Sequence, residues 1–200
     1  NGQWKIAFHP LFWLGSEVHH STLGIIGMGR IGSEVAKRAQ AFDMKILYNS
    51  PTRKPIVESK FGARYTSLDA LLKQSDFVSI HCPLSKNTRD LIGAREFKLM
   101  KSTAILINTA RGPIVNSKQL YLALKSHAIT YAALDVTDPE PLNADDPLLT
   151  LDNILITPHL GSATESTRKK MTMIAAHNLL RGIRGESLIH CANPEALKTH

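Results

Sequence analysis

The sequence predicts an α/β fold: a doubly wound parallel sheet. Two observations predict it. Short apolar runs alternate along most of the chain with segments of helical spacing. Several of those runs are apolar without interruption, as strands buried on both faces must be. Residues 22–27 form the first such run and end in glycine. Residues 31–42 carry Ile31, Val35, Ala39 and Phe42 at helical spacing, and 45–48 is strand-like again. Residues 67–74 read as a helix with Ser67 as its N-cap. The strand at 77–81 is stopped by Pro83, and a short helix at 94–101 precedes a strand at 104–108. Asn116 caps a helix at 117–126; strands follow at 131–136 and 153–157. The last helix runs over 165–184, with Gly185 as its stop.

The composition excludes several classes. Of 200 residues, 43% are apolar and 20% charged, which rules out disordered and collagen-like chains. No apolar run reaches the roughly 18 residues of a membrane span, so no membrane partner is expected. The net charge is +7, with no finger, helix-turn-helix or aromatic RNA motif, so nucleic acid is not expected either. The two cysteines, Cys82 and Cys191, have no metal-binding spacing. They suit a reducing compartment, and a cytoplasmic location with no metal is expected. The opening Asn1-Gly2-Gln3-Trp4 lacks an initiator Met and reads as cut from a longer chain. The expected organisation is a lead-in at 1–20, a dinucleotide-binding domain at 21–164, and a crossover helix and tail at 165–200.

Gly27-Met28-Gly29-Arg30-Ile31-Gly32 is G-x-G-x-x-G, directly after a strand and opening a helix. In that context the spacing implies a dinucleotide. Gly27 permits the tight turn, Gly29 lets the backbone approach a pyrophosphate, and Gly32 lets helix and strand pack. The helix N-terminus at Arg30 and Ile31 turns its amides to the phosphates. This makes the sheet Rossmann-type. Where an acid would bind a ribose 2′-hydroxyl, the chain reads Tyr48-Asn49-Ser50-Pro51-Thr52-Arg53-Lys54. Ser50, Thr52 and Arg53 suit a 2′-phosphate, which predicts NADPH (NADP) over NADH. A solvated basic loop is the plainer alternative.

Three strand ends carry unusual polar groups: Arg111 after the strand at 104–108, Glu140 after 131–136, and His159 after 153–157. Ligands of doubly wound sheets bind beyond the carboxyl ends of the strands. There an Arg can hold a carboxylate, a His can act as acid–base, and a Glu can orient and charge-balance the imidazole.

Taken together, 22–32, His81-Cys82-Pro83-Leu84 with Thr88, 107–112, 134–142 and 157–164 carry a resemblance over essentially the whole chain. The sequence resembles the D-isomer-specific 2-hydroxyacid dehydrogenases, most closely their glyoxylate/hydroxypyruvate reductase branch. The resemblance implies that Arg111, Glu140 and His159 are catalytic and that Asp135 contacts the nicotinamide carboxamide. It implies further cofactor contacts on the matched segments, at Cys82, Pro83, Thr88, Thr109, Ala110, Gly161 and Ser162. It implies a small 2-oxo or 2-hydroxy acid substrate and a homodimer, which the aromatic residues Trp4, Phe8, Phe12 and Trp13 of the lead-in also suggest. It implies, too, a two-lobed enzyme whose substrate lobe is largely missing here, so that the chain alone is expected to turn over poorly. The alternative reading is a dinucleotide-sensing binding module of the same fold, resembling corepressors.

Overall fold

The computed structural model describes residues 14–195, so Trp4, Phe8, Phe12 and Trp13 lie outside the described residues. Residues up to Thr157 belong to one compact unit and those from Pro158 to a second.

The first unit holds seven strands in one sheet: β1 (Thr22–Ile26), β2 (Lys45–Asn49), β3 (Arg64–Tyr65), β4 (Phe77–Ile80), β5 (Ile105–Asn108), β6 (Tyr131–Leu134) and β7 (Ile154–Ile156). Their order is β3-β2-β1-β4-β5-β6-β7 and every pairing is parallel. The helices are α1 (Arg30–Gln40), α2 (Pro55–Phe61), α3 (Leu68–Gln74), α4 (Ala94–Leu99) and α5 (Ser117–Lys125). The six expected strands are all present. The sequence reading omits β3 and α2, and the reason is physical. The two residues of β3 are both exposed, and α2 buries none of its residues fully: only Val57 and Phe61, four apart, pack half-buried against the core, too short a pattern to mark a helix.

Two cores cover the two faces of the sheet. Leu23, Ile25, Ile46 and Tyr48 point to α1, where Ala36 and Ala39 meet them. Ile26, Leu47, Val78, Ile80 and Leu106 point the other way, to Leu71 and Leu72 of α3, Phe97 of α4 and Leu120 and Leu124 of α5. The expected two-sided burial holds at β1 and β2. It weakens outward on the face shared by Ile107, Ala133 and Leu155: the first two are half-buried and Leu155 is 52% exposed. The apolar face expected on the first helix also needs correction. Ile31 is 67% and Phe42 50% exposed, while the buried positions are Gly32, Ala36 and Ala39. Ala39 and Val35 keep the expected contact, Val35 packing half-buried against this core, while Ile31 at the helix start and Phe42 beyond its end fall outside it.

The expected caps are present. Ser67 Oγ accepts from the Ala70 amide (3.3 Å), and Asn116 Oδ1 accepts from the Gln119 amide (3.1 Å). Asp76, just before β4, joins three strands. Its Oδ2 accepts from the Thr22 amide at 2.8 Å, its Oδ1 accepts from Lys101 Nζ at 2.7 Å, and its carbonyl accepts from the Ile105 amide at 2.9 Å. Partial burial opposes ionisation of Asp76, yet Lys101 and the Thr22 amide outweigh it and hold the carboxyl below its ordinary value. A depressed folded pKa stabilises fully above the unfolded value of about 4 and ceases to do so as pH falls through the folded one. The pair is about one-third exposed, so solvent screens it. Asp76→Asn is therefore expected to cost below about 1 kcal/mol near pH 7. In urea melts at falling pH the gap from wild type closes below about pH 4. A gap that widens in acid refutes this account.

The second unit contains α6 (Glu165–Ile183), capped by Thr164, whose Oγ1 accepts from the Thr167 amide at 3.2 Å. Gly185, the expected stop, has φ +69°. Asn178 ties the following segment back to α6: its Oδ1 accepts from the amides of Ile189 and His190. No helix among the described residues is long and apolar enough to cross a membrane.

Candidate active site

β1 lies between β2 and β4, where the order of connections reverses, and such a point opens a crevice at the carboxyl ends of the strands. The chain leaves β1 through Gly27 at φ +96°. A Cβ there would sit 2.5 Å from the Cys82 nitrogen, so the turn is wedged against the exit of β4. The first α1 bond runs from the Ser33 amide to the Gly29 carbonyl (2.9 Å). The amides of Arg30, Ile31 and Gly32 thus precede the helical ladder. Gly29 faces open space, whereas a Cβ on Gly32 would strike the Gly27 carbonyl at 2.2 Å. This is an anion cradle: open where a pyrophosphate would lie and closed where helix meets strand.

Beside it a cavity of about 380 Å³ is lined by Ile31, His81, Cys82, Pro83, Leu84, Thr109, Ala110 and Arg111. The structure thus gathers six expected residues, Ile31, Cys82, Pro83, Thr109, Ala110 and Arg111, from three separate segments. Burial pushes the Cys82 thiol up and the His81 imidazole down, which keeps both neutral in this wall. His81 Nε2 bonds to Ser79 Oγ at 2.8 Å. Thr88 stands back from the wall. Its hydroxyl donates to the Pro83 carbonyl (2.7 Å) and accepts from the Ser85 amide (2.7 Å), which folds the loop.

At the exit of β2, Ser50 is half-buried and Thr52 and Arg53 are exposed. The sequence shows no acid in this window, but α2 brings one. Glu58 accepts from Arg53 Nε (3.1 Å) and Nη2 (2.6 Å) and from the Tyr48 hydroxyl (2.6 Å).

The Arg111 loop is built on a residue that the sequence reading does not single out. Asn108, 1% exposed at the end of β5, accepts from the Ala110 amide and donates to the Arg111 carbonyl, both at 3.0 Å. The Arg111 side chain is exposed and bonds the Ala110 carbonyl (2.6 Å). A Cβ on Gly112 would lie 1.9 Å from the Thr137 carbonyl oxygen, so this loop rests directly on the one leaving β6. That second loop carries Asp135, Asp138 and Glu140. Asp135 is half-buried and its Oδ1 accepts from Thr157 Oγ1 at 2.6 Å; Glu140 is exposed. His159, Gly161 and Ser162 belong to the second unit, where His159 is exposed with φ +54°. The three expected catalytic residues are therefore divided between the units. At the opposite, N-terminal edge of the sheet, exposed His19, His20 and Asp43 hold ligand-type atoms within 4.8 Å of one another.

Residues 1–161 match the family described as D-isomer specific 2-hydroxyacid dehydrogenase, NAD binding domain. The chain belongs to this family. Among similar proteins, a glyoxylate reductase of Korarchaeum cryptofilum is 47% identical over 98% of this chain and 59% of its own length. A glyoxylate/hydroxypyruvate reductase B of Cronobacter sakazakii is also 47% identical, over 98% and 61%. The crystal structure of TT0316 protein from Thermus thermophilus superposes with a TM-score of 0.88 at 46% identity, covering 94% of this chain and 58% of that one. The chain spans about three-fifths of the length of such relatives. A nicotinamide dinucleotide fits this 2-hydroxyacid dehydrogenase domain on structural grounds: the open space at Gly29, the unladdered amides of α1 and the cavity at Arg111 run along one sheet edge.

Proposed function

We propose that the chain is the cofactor-binding part of a reductase that uses NADPH to convert a small 2-oxo acid, such as glyoxylate or hydroxypyruvate, to the 2-hydroxy acid. The observation that carries the NADPH preference is the exit of β2. It ends in half-buried Ser50 where an acid would bind a ribose 2′-hydroxyl, with Arg53 held nearby. A 2′-phosphate takes hydrogen bonds from Ser50, Thr52 and Arg53 and would be repelled by an acid at position 50.

Gly27, Gly29 and Gly32, with the amides of Arg30 and Ile31, hold the pyrophosphate. Cys82, Pro83, Thr109 and Ala110 wall the cavity, and Thr88 shapes its loop. Asp135, Gly161 and Ser162 complete the nicotinamide end. A nicotinamide held there would supply the hydride for the carbonyl carbon. Arg111 grips the carboxylate and polarises the carbonyl oxygen, which gains charge as the C=O pair moves onto it. His159 delivers a proton to that oxygen, and Glu140 orients and charge-balances the imidazole. The chain works as a homodimer in the cytoplasm on this reading. The free thiols of Cys82 and Cys191 support a reducing compartment.

Fluorescence titration tests the cofactor choice. NADPH is expected to bind tighter than NADH, and Ser50→Asp to weaken NADPH by about tenfold or more through charge repulsion. Equal or tighter binding of NADH by the wild type overturns the proposal.

A further inference from the structure

Arg53 is a long, exposed side chain, yet it is not left to wander. A relay of hydrogen bonds runs to it from the core. Tyr48, fully buried in β2, accepts the Lys54 amide (2.6 Å) and donates to Glu58 Oε1 (2.6 Å). Glu58 then receives Arg53 through Nε and Nη2, along one edge of the guanidinium. The guanidinium carbon lies 5.9 Å from the Tyr65 ring centroid, and Tyr65 packs edge-on against Tyr48 at 5.4 Å. The other edge, at Nη1, makes no hydrogen bond among the described residues. The relay spans the loop that carries Ser50 and Thr52.

We infer that Glu58 is the positioning residue for the NADPH preference: it fixes Arg53 so that the free guanidinium edge meets the 2′-phosphate without an ordering cost. This rests on the NADPH reading above. Two opposite effects of Glu58 compete. Its charge offsets that of Arg53, which weakens attraction for a phosphate. Its two hydrogen bonds also remove the rotamer freedom that a loose Arg gives up on binding. Glu58 lies on the inner edge of the Arg53 guanidinium, whose side chain is 65% exposed, so solvent screens its charge from a phosphate at the outer edge and preorganisation wins. Arg53 and Tyr48 together hold the Glu58 carboxyl below its ordinary range, so the relay stays intact at neutral pH.

The test measures Kd for NADPH and NADH on the intact protein with Arg53→Ala, Glu58→Gln, the double variant and Tyr48→Phe. Arg53→Ala is expected to weaken NADPH by about tenfold or more, and Glu58→Gln by about fivefold, with NADH unchanged in both. The double variant is expected to be no weaker than Arg53→Ala alone, because Glu58 acts only through Arg53. Tyr48→Phe keeps the ring and removes the hydroxyl. It is expected to shift the NADPH/NADH ratio in the same direction, and it stands in should Glu58→Gln fold poorly. If Arg53→Ala weakens NADPH while Glu58→Gln leaves it unchanged or tightens it, the inference fails and the NADPH reading survives. If Arg53→Ala itself has no selective effect, the role of Arg53 in that reading fails and the inference with it. Equal weakening of both cofactors by Glu58→Gln marks a merely structural role and also overturns the inference.

Discussion

Gly112→Ala is expected to lower the melting temperature by roughly 6–12 °C, the shift for about 3 kcal/mol of overpacking in a chain of this length. The new methyl would lie 1.9 Å from the Thr137 carbonyl oxygen and 2.1 Å from its carbon. Both are backbone atoms, so no flexible side-chain end can swing aside, and one of the two loops must lift. Arg111 stands on the first loop and Glu140 on the second. On the proposed function a misplacement of about 1 Å costs on the order of a hundredfold in turnover. Thermal unfolding of this chain reads the first effect, and glyoxylate-dependent NADPH oxidation by an enzyme that has both lobes reads the second. A melting temperature within about 1 °C of wild type would show that the loops do not bear on each other.

In an enzyme that has both lobes, His159→Gln is expected to lower kcat/KM for glyoxylate by about 10²–10⁴, the range of a lost general acid–base. Glutamine preserves much of the length and can still donate a hydrogen bond, but it cannot release a proton near neutral pH. NADPH affinity is expected to stay unchanged, because the imidazole is assigned to the substrate oxygen and the phosphates to the glycine loop. Weaker NADPH binding with kcat intact would place His159 in the cofactor site instead.

Much of the fold was legible because buried strands must be apolar. All six expected runs, several of them continuously apolar, are strands, and Ser67, Asn116 and Gly185 marked helix ends by local chemistry. β3 and α2 were illegible because they bury little. Position 31 misled in the helix pattern for the opposite reason: Ile31 is apolar but lines the cavity, not the core. At the site, the glycine spacing and Arg111 stood out because phosphate cradles and strand-end cations have sequence signatures. Asn108 and Glu58 did not. Each acts by bonding a neighbour that only the fold brings near, although Asn108 directly precedes the Thr109-Ala110-Arg111 loop and a polar residue closing an apolar strand was the available sign. Glu58 offered none, since an acid within a short exposed helix is ordinary.

The central place of β1 has a consequence for how the chain emerges during synthesis. β1 can pair with β2 soon after both are made, but its other edge waits for β4, where Ile26 meets Ile80. At about 5–20 residues per second the intervening segment takes several seconds to appear. For that interval Gly24 and Ile26 present unpaired backbone N–H and C=O groups along an otherwise apolar strand, the kind of edge that recruits neighbouring nascent chains or a chaperone. The same wiring that opens a crevice in the finished sheet leaves its middle strand half-paired while the ribosome is still at work.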